Sequence, residues 1–297
     1  MTERVASGVN KAWPQRAGVA VAGRVPMVGP GSGGGAGGPA INSRLLQGIA
    51  NASQLSALQV CLDAGVAASY PGGNLWKDIS GAGNDFQIGS TSGTDTSDPT
   101  FHGSIGGGSP GEYFTFDGGD YFAIAAGANP AFIDAMHAAG ATFSWLSIVY
   151  VPAGLTVVLF STEHGGSSRG FDMDYAGSDT TLRLYELNGT GIGYGNTIGS
   201  VLINDAWCVV HVSIAEGVTN GSVVSLNGSA VSIFTASYSS PTSGPATYLA
   251  RLGARGGGVD FTGNGVRQVA AAGWARALSA ANHAAIYNQI KSGFGLP

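Results

Sequence analysis

The stretch WKDISGAGNDF, Trp76–Phe86, is followed about thirty residues later by YFTFDGGDYFAI, Tyr113–Ile124. Each places aromatic residues next to a cluster of Asp, Asn, Ser and Gly. Asp and Asn side chains accept hydrogen bonds from nearby backbone N–H groups, and Gly adopts a positive φ without strain. Trp76 is expected to pack on a hydrophobic core or its rim. We therefore predict that both stretches specify turns between strands, rather than a ligand site.

The composition of the whole chain favours the same fold class. Gly accounts for 50 of 297 residues, and only 10% of residues are charged. A helical bundle needs more Glu, Lys and Arg on its exposed faces. Hydrophobic residues make up 44% of the chain, which is enough for a packed core and argues against disorder. An all-β protein with many turns fits best.

Short apolar runs separated by turn residues continue along most of the chain and predict an antiparallel sandwich of two sheets. The expected strands are 57–62, 85–89, 112–117, 120–125, 141–151, 155–161, 170–175, 181–187, 191–198, 207–215, 221–227, 229–235, 247–253 and 265–275. Two short helices are expected at about 129–139 and 279–292. Asn129 and Ser279 are their predicted N-caps, and Pro130 is placed at the first helical position of the earlier one.

The N-terminal region has a different character. Residues 1–53 are predicted to form an extended anchoring arm with a Gly-rich linker at 29–39, apart from a short helix at about 43–52. Basic residues outnumber acidic ones before residue 46, whereas 8 basic and 17 acidic residues follow it. We expect the arm to dock onto another protein. The candidate anchoring residues are Arg4, Lys11, Trp13, Arg16 and Arg24.

Three segments together resemble a known domain family. LQVCLDAG (Leu58–Gly65), WKDISGAGND (Trp76–Asp85) and YFTFDGGDYF (Tyr113–Phe122) resemble the opening of a concanavalin A-like, laminin-G-like jelly roll, and residues as far as 293 follow the order of its motifs. The resemblance implies a two-sheet jelly-roll domain over 54–297. It also implies a structural protein of a tailed bacteriophage or gene-transfer particle, a class in which many members bind sugars.

Candidate ligand-binding residues lie in loops and on aromatic positions. Glu163, His164 and Arg169 surround a Gly/Ser loop, where they are suited to hydrogen-bond sugars. Sugar rings stack on flat aromatic faces, so the candidate aromatic contacts are Tyr175, Tyr185 and Tyr194. The alternative for all six residues is an ordinary surface or core position.

Two pairs of aspartates are spaced so that they could bind a cation or act in catalysis. Asp117 and Asp120 are candidate Ca²⁺ ligands, but a hairpin turn is the simpler interpretation, and we predict no cofactor. Asp172 and Asp174 lie on one face of a strand, about 7 Å apart by strand geometry. They lack the glutamates seen in related glycanases, so a solvated strand face is the default and no catalytic residue is predicted.

The resemblance and the arm lead to one functional hypothesis. The chain is predicted to be a virion fibre, spike or decoration protein that contacts host-surface glycan, is not an enzyme, and forms a homo-oligomer. It would bind other virion proteins through its arm, with no nucleic acid and no membrane insertion. No signal peptide is visible, so we expect a virion-surface protein released by lysis. The alternatives are an architectural decoration or connector protein without sugar binding and, third, a glycan hydrolase on the same fold.

Overall fold

A computed structural model describes residues 43–108, 111–164, 168–178, 180–199, 201, 204–242 and 244–297. The predicted anchoring residues of the arm lie outside these ranges. Within them, the chain is the predicted all-β sandwich: two antiparallel sheets of eight strands each, with three short helices.

Sheet A has the strand order β14-β13-β12-β7-β16-β5-β4, and β1 also pairs with β16. Its strands are β1 (Leu58–Asp63), β4 (Thr100–His102), β5 (Tyr113–Thr115), β7 (Thr142–Tyr150), β12 (Trp207–Ala215), β13 (Ser222–Leu226), β14 (Ser229–Phe234) and β16 (Arg267–Trp274). Every pairing is antiparallel. The last strand, β16, therefore lies inside the sheet, between β7 on one side and β5 and β1 on the other.

Sheet B has the strand order β11-β10-β9-β8-β15-β6-β3-β2. Its strands are β2 (Leu75–Trp76), β3 (Phe86–Ile88), β6 (Phe122–Ile124), β8 (Thr156–Ser161), β9 (Arg169–Ala176), β10 (Thr181–Asn188), β11 (Ile192–Ile198) and β15 (Arg251–Leu252). The short strands β2 and β4 are not among those predicted. The other strands match the predicted ones to within a few residues at each end.

The turn Trp76–Phe86 has the structural role expected of it. The Asp78 carboxylate accepts hydrogen bonds from the backbone N–H groups of Cys61, Ser80 and Asn84 at 2.8–3.0 Å. Trp76 is fully buried in the core between the sheets. The turn thus joins the first strand of sheet A to the first hairpin of sheet B, because one carboxylate bonds to both segments.

The later predicted helix forms as expected, whereas the earlier one is much shorter than predicted. α3 (Ala280–Ile290) begins at Ser279, which forms the expected cap with Asn282. α2 (Ala131–Asp134) is a single turn, much shorter than 129–139, and Pro130 precedes it as an N-cap without a side-chain hydrogen bond. Asn129 is not that cap. Its amide instead accepts a hydrogen bond from the Ala250 N–H and donates one to the Tyr248 carbonyl, so it joins two loops.

α1 (Arg44–Asn51) is part of the packed domain. Leu45 and Ile49 are fully buried in a second apolar cluster on the outer side of sheet A, together with Ile286 and Ile290 of α3. The domain therefore includes residues that the predicted boundary at 53/54 assigned to the arm. Both cysteines, Cys61 and Cys208, are buried and free. No helix in the described ranges is long and apolar enough to cross a membrane.

Candidate functional site

The outer face of sheet B carries the largest group of buried charges among the described residues. Strand alternation places Phe171, Met173 and Tyr175 of β9 in the core. Asp172 and Asp174 consequently point to the opposite face, yet they are 0% and 1% exposed. The prediction of a solvated strand face is wrong. The loop between β15 and β16 covers this face. It is anchored to strand β8 by the Gly253 and Gly263 N–H groups, which donate to the Val158 and Thr156 carbonyls.

Two arginines bind the aspartates. Arg183, on the neighbouring strand β10, contacts Asp174 with Nε to Oδ1 at 2.6 Å and Nη2 to Oδ2 at 2.9 Å. Arg255, from the covering loop, places one Nη2 atom 2.7 Å from Asp174 Oδ2 and 3.1 Å from Asp172 Oδ2. Its Nη1 lies 3.4 Å from Asp260 Oδ2. We call these five residues, together with Glu163, the acid–arginine network.

Burial sets the protonation of the network. The pKa of Asp172 is raised well above its usual value, first because its carboxyl is desolvated and second because Asp174 is a neighbouring negative charge; Arg255 opposes the shift. The pKa of Arg183 is raised by its hydrogen bonds to Asp174. The raised pKa favours the neutral form of Asp172, and Asp174 lies between two cations.

A cavity of about 370 Å³ opens onto this network. Its polar lining comes from Thr156, Asp174, Arg183, Arg255 and Asp260, and Val158 and Phe261 add apolar surface. Asp260 is the most accessible charge, with 61% of its side chain exposed, whereas Arg183 and Arg255 are 30% and 21% exposed. The cavity therefore offers hydrogen-bond donors and acceptors that buried partners already hold in place.

Beside the cavity, the same face continues onto the edge strand β11. Tyr185 is paired with Asp172 on one side and with Gly195 on the other, so its ring lies on the outer face. A β-carbon added to Gly195 would lie 3.1 Å from the Tyr185 ring and 3.2 Å from Ile192. Gly195 thus leaves room for a half-exposed aromatic ring next to an exposed Ile192.

Three of the predicted ligand residues come from one loop, but they do not converge. Glu163 is 2% exposed and its Oε1 lies 3.9 Å from Arg255 Nε, at the margin of the network. His164 is exposed and its ring meets Tyr248 edge-on. Arg169 lies near Gly189 and Gly244, at the end of the strand. Of these three, Glu163 is the one that faces the cavity residues.

The three predicted tyrosines have different surroundings. Tyr175 is fully buried in the core and its hydroxyl donates to Asn204 Oδ1 at 3.1 Å, so its ring cannot stack on a ligand. Tyr194 is half-buried at the edge between the sheets, where its ring is parallel to that of Phe234. Tyr185 alone of the three lies on the outer face of sheet B.

Asp117 and Asp120 form the turn that the sequence indicates. Asp120 Oδ2 accepts the Asp117 N–H at 2.7 Å, and Asp117 Oδ1 accepts the Gly119 N–H at 2.9 Å. Burial raises the pKa of Asp120 to about 7, with smaller contributions from Asp117 and Asp98. In the described ranges, no group of three or more His, Cys, Asp or Glu residues is arranged to hold a metal ion. Calcium binding by this pair stays an untested hypothesis.

Sequence reasoning missed Arg183, Arg255, Asp260 and Phe261. Alternation on β10 could have placed Arg183 beside Asp174, because directly paired residues share a face. Arg255 is 81 residues from Asp174 along the chain, in a Gly-rich segment that carries no periodic pattern. Tyr175 could have been excluded, since strand alternation places it on the same apolar face as Phe171 and Met173.

Comparisons with known proteins give structural similarity without sequence similarity. No family model matches the chain, and no curated protein sequence matches it. A Trypanosoma rangeli sialidase in complex with sialic acid has a TM-score of 0.51 at 12% identity over 80% of this chain and 33% of its own. The binding domain of botulinum neurotoxin DC in complex with SialylT has a TM-score of 0.53 at 10% identity, over 80% and 52%. The chain thus spans a third to a half of these structures.

These similarities correct one prediction. Structures with this fold include sialidases, which are enzymes, and this finding overturns the prediction that the chain is not an enzyme. At such identities the likeness shows the fold alone. The β-sandwich is therefore shared with part of the sialidase and with part of the neurotoxin binding domain.

Proposed function

We propose that the described domain binds glycan in the cavity on the outer face of sheet B. The observation that carries the proposal is the set of fixed polar groups in that cavity: Arg183 and Arg255 held by buried Asp174, with Asp260 at the rim. A sugar offers hydroxyl groups that both donate and accept hydrogen bonds, together with apolar C–H faces. Groups that are already ordered lose little conformational entropy on binding.

The ligand class follows from the charges. Within 46–297, acidic residues outnumber basic ones by 17 to 8, and the two cavity arginines are already paired with carboxylates. An acidic polysaccharide would meet net negative charge. We therefore propose a neutral glycan, with Asp260 accepting hydrogen bonds from sugar hydroxyl groups, Arg183 donating hydrogen bonds, and Phe261 and Tyr185 supplying apolar contact. The complexes of the structural neighbours with sialic acid and SialylT support a sugar-contacting role for the sandwich; they do not support the neutral charge, because sialic acid is an acidic sugar.

The setting of this function rests on the family resemblance and the charge distribution. We propose that the chain is a surface protein of a phage or phage-like particle, bound to its neighbours by the basic arm and contacting host polysaccharide. Repeated copies raise the effective concentration of weak sites, so avidity compensates for low affinity per site. An architectural decoration without sugar binding is the rival.

The test measures binding of fluorescent full-length protein to host cells and to cells stripped of surface polysaccharide. Asp260→Asn should weaken binding about tenfold or more, because a hydrogen bond to a charged group is worth about 1.5–3 kcal/mol. Asp260 has a φ of +49°, a conformation that Asn tolerates, so the fold is kept. Asp117→Asn, another exposed loop aspartate, is the matched control and should bind normally.

Two outcomes would contradict the proposal. Equal binding by Asp260→Asn and the wild type would place the site elsewhere. Equal binding to intact and stripped cells would exclude polysaccharide as the ligand. A fragment tested for the role of the arm should begin at residue 43 and not at 54, because α1 belongs to the packed domain.

A further inference from the structure

Strand β14 ends sheet A and leaves one backbone edge open. It pairs with β13 alone, and none of the described residues hydrogen-bonds to its other edge. An open strand edge presents unpaired N–H and C=O groups, which pair readily with another strand. Strand β14 spans six residues, compared with three for β4 and two for β2, so it offers the longest uncovered edge.

The corresponding edge of sheet B is covered at its start. β11 is also uncharged and lies at the end of its sheet, but the segment 238–240 runs beside its first residues. The Ser239 N–H and hydroxyl both donate to the Gly193 carbonyl at 2.8 and 2.9 Å, and Asn188 Nδ2 donates to the Ser240 carbonyl. The chain itself therefore covers the start of one end strand, whereas the described residues leave the edge of β14 open along its whole length.

The side chains around the open edge are apolar and exposed. Val218, Val231 and Ile233 are 51%, 43% and 52% exposed, and they account for half of the large hydrophobic residues exposed among those described. A groove of about 260 Å³ runs between Ile233 and the start of α3, lined also by Val223 and Leu278. Exposed apolar surface that adjoins an unpaired strand marks a protein interface.

The charge pattern identifies the partner as a second copy of this chain. No Asp, Glu, Lys, Arg or His occurs from Gly217 to Ala250, which includes all of β13 and β14. Natural edge strands are commonly protected by Lys or Pro, and 229–234 contains neither. In a two-fold contact the same residues meet each other, so any charge on this surface would face its like. A neutral surface removes that repulsion.

We propose that two copies pair antiparallel through β14, so that sheet A continues across a two-fold axis. Ile233 and Val231 of each copy are then covered by the other. This interface lies on the sheet opposite to the proposed glycan cavity and does not depend on glycan binding. The proposal thus assigns the interface of the predicted homo-oligomer to strand β14.

The test is the mass of the full chain in solution, measured by light scattering after size exclusion. The wild type should give twice the chain mass of 29.7 kDa, and Val231→Lys and Ile233→Lys should give the single mass, because each places like charges across the axis. Ile192→Lys is the matched control: Ile192 is 58% exposed on the covered edge β11, and its variant should remain dimeric.

Hydrogen exchange gives an independent measurement on the unaltered chain. Amides of 229–234 should exchange more slowly as the protein concentration rises, while those of β11 should not change. A wild type that is monomeric at its highest soluble concentration would overturn the proposal. So would a dimer that survives both lysine substitutions, or β14 amides whose exchange does not depend on concentration.

Discussion

Replacing Arg255 by Met tests whether the covering loop is held to sheet B by charge. In the structure its guanidinium contacts Asp174 at 2.7 Å, Asp172 at 3.1 Å and Asp260 at 3.4 Å. Met fills a similar volume with no charge. After the substitution, Asp174 keeps its two contacts with Arg183, whereas Asp172 loses its cation.

The expected loss of stability follows from which charges stay paired. Removing one partner of a buried ion pair costs about 3–5 kcal/mol. Here Arg183 still pairs with Asp174, the raised pKa of Asp172 favours protonation once Arg255 is gone, and Arg255 is 21% exposed. We therefore expect about 2–3 kcal/mol after discounting for solvent screening. For a domain of this size that corresponds to a fall in Tm of about 4–12 °C.

The assay is denaturant unfolding followed by tryptophan fluorescence, with Tm as a second measure. Lys291→Met is the control, because Lys291 is exposed at the end of α3, and it should change stability by less than about 0.5 kcal/mol. If Arg255→Met also stays within about 0.5 kcal/mol of the wild type, the loop does not bury these carboxylates and the account of the network is refuted.

Three further predictions concern other parts of the fold. Gly48→Ala should destabilise the domain by about 1–3 kcal/mol, because the added methyl overlaps the Ile290 side chain between α1 and α3. Cys61 and Cys208 should resist a thiol reagent at neutral pH until the chain unfolds, because burial raises both pKa values, that of Cys208 to about 12. The wild type should lose stability as the pH rises from about 4 to 7, because folded Asp120, with a pKa of about 7, keeps a proton that the unfolded chain releases in this range. Asp120→Asn should reduce this loss.

Faster hydrogen exchange across residues 44–51 is the sign of the Gly48 effect, and unchanged exchange with an unchanged Tm would contradict it. Rapid labelling of either cysteine in the folded protein would show that the thiols are accessible. For Asp120, parallel pH profiles of unfolding free energy for the variant and the wild type would contradict the raised pKa.

Much of the fold could be predicted because its determinants are local. The carboxylate of Asp78 bonds to backbone groups of its own turn and to Cys61 of β1, only 17 residues earlier, so most of this turn is specified by nearby residues. Ser279 and Asn282 similarly cap α3 within four residues. Asn129 is not the N-cap because its amide bonds to Tyr248 and Ala250. These partners lie more than a hundred residues along the chain, so the sequence around Asn129 does not indicate them.

The candidate site was harder to predict because it is assembled from distant segments. Asp172 and Asp174 were recognised as a pair on one face, but their burial depends on a loop that arrives after β15. The buried histidines show the same limit: His211 of β12 stacks on His283 of α3, and Ser213 and Ser225 bond to the ring of His283. Periodicity places each residue on a face, but it does not say what covers that face.

The interior position of β16 has a consequence for synthesis. Sheet A cannot close until Arg267–Trp274 has been made, since β1, β5 and β7 all pair with it. Contacts between residues so far apart in sequence form slowly, and the apolar faces of the earlier strands remain uncovered in the meantime. Sheet A of a nascent chain therefore stays incomplete until residue 274 has left the ribosome. During that interval the uncharged hairpin 222–234, already made, is exposed to pairing with another unfinished chain.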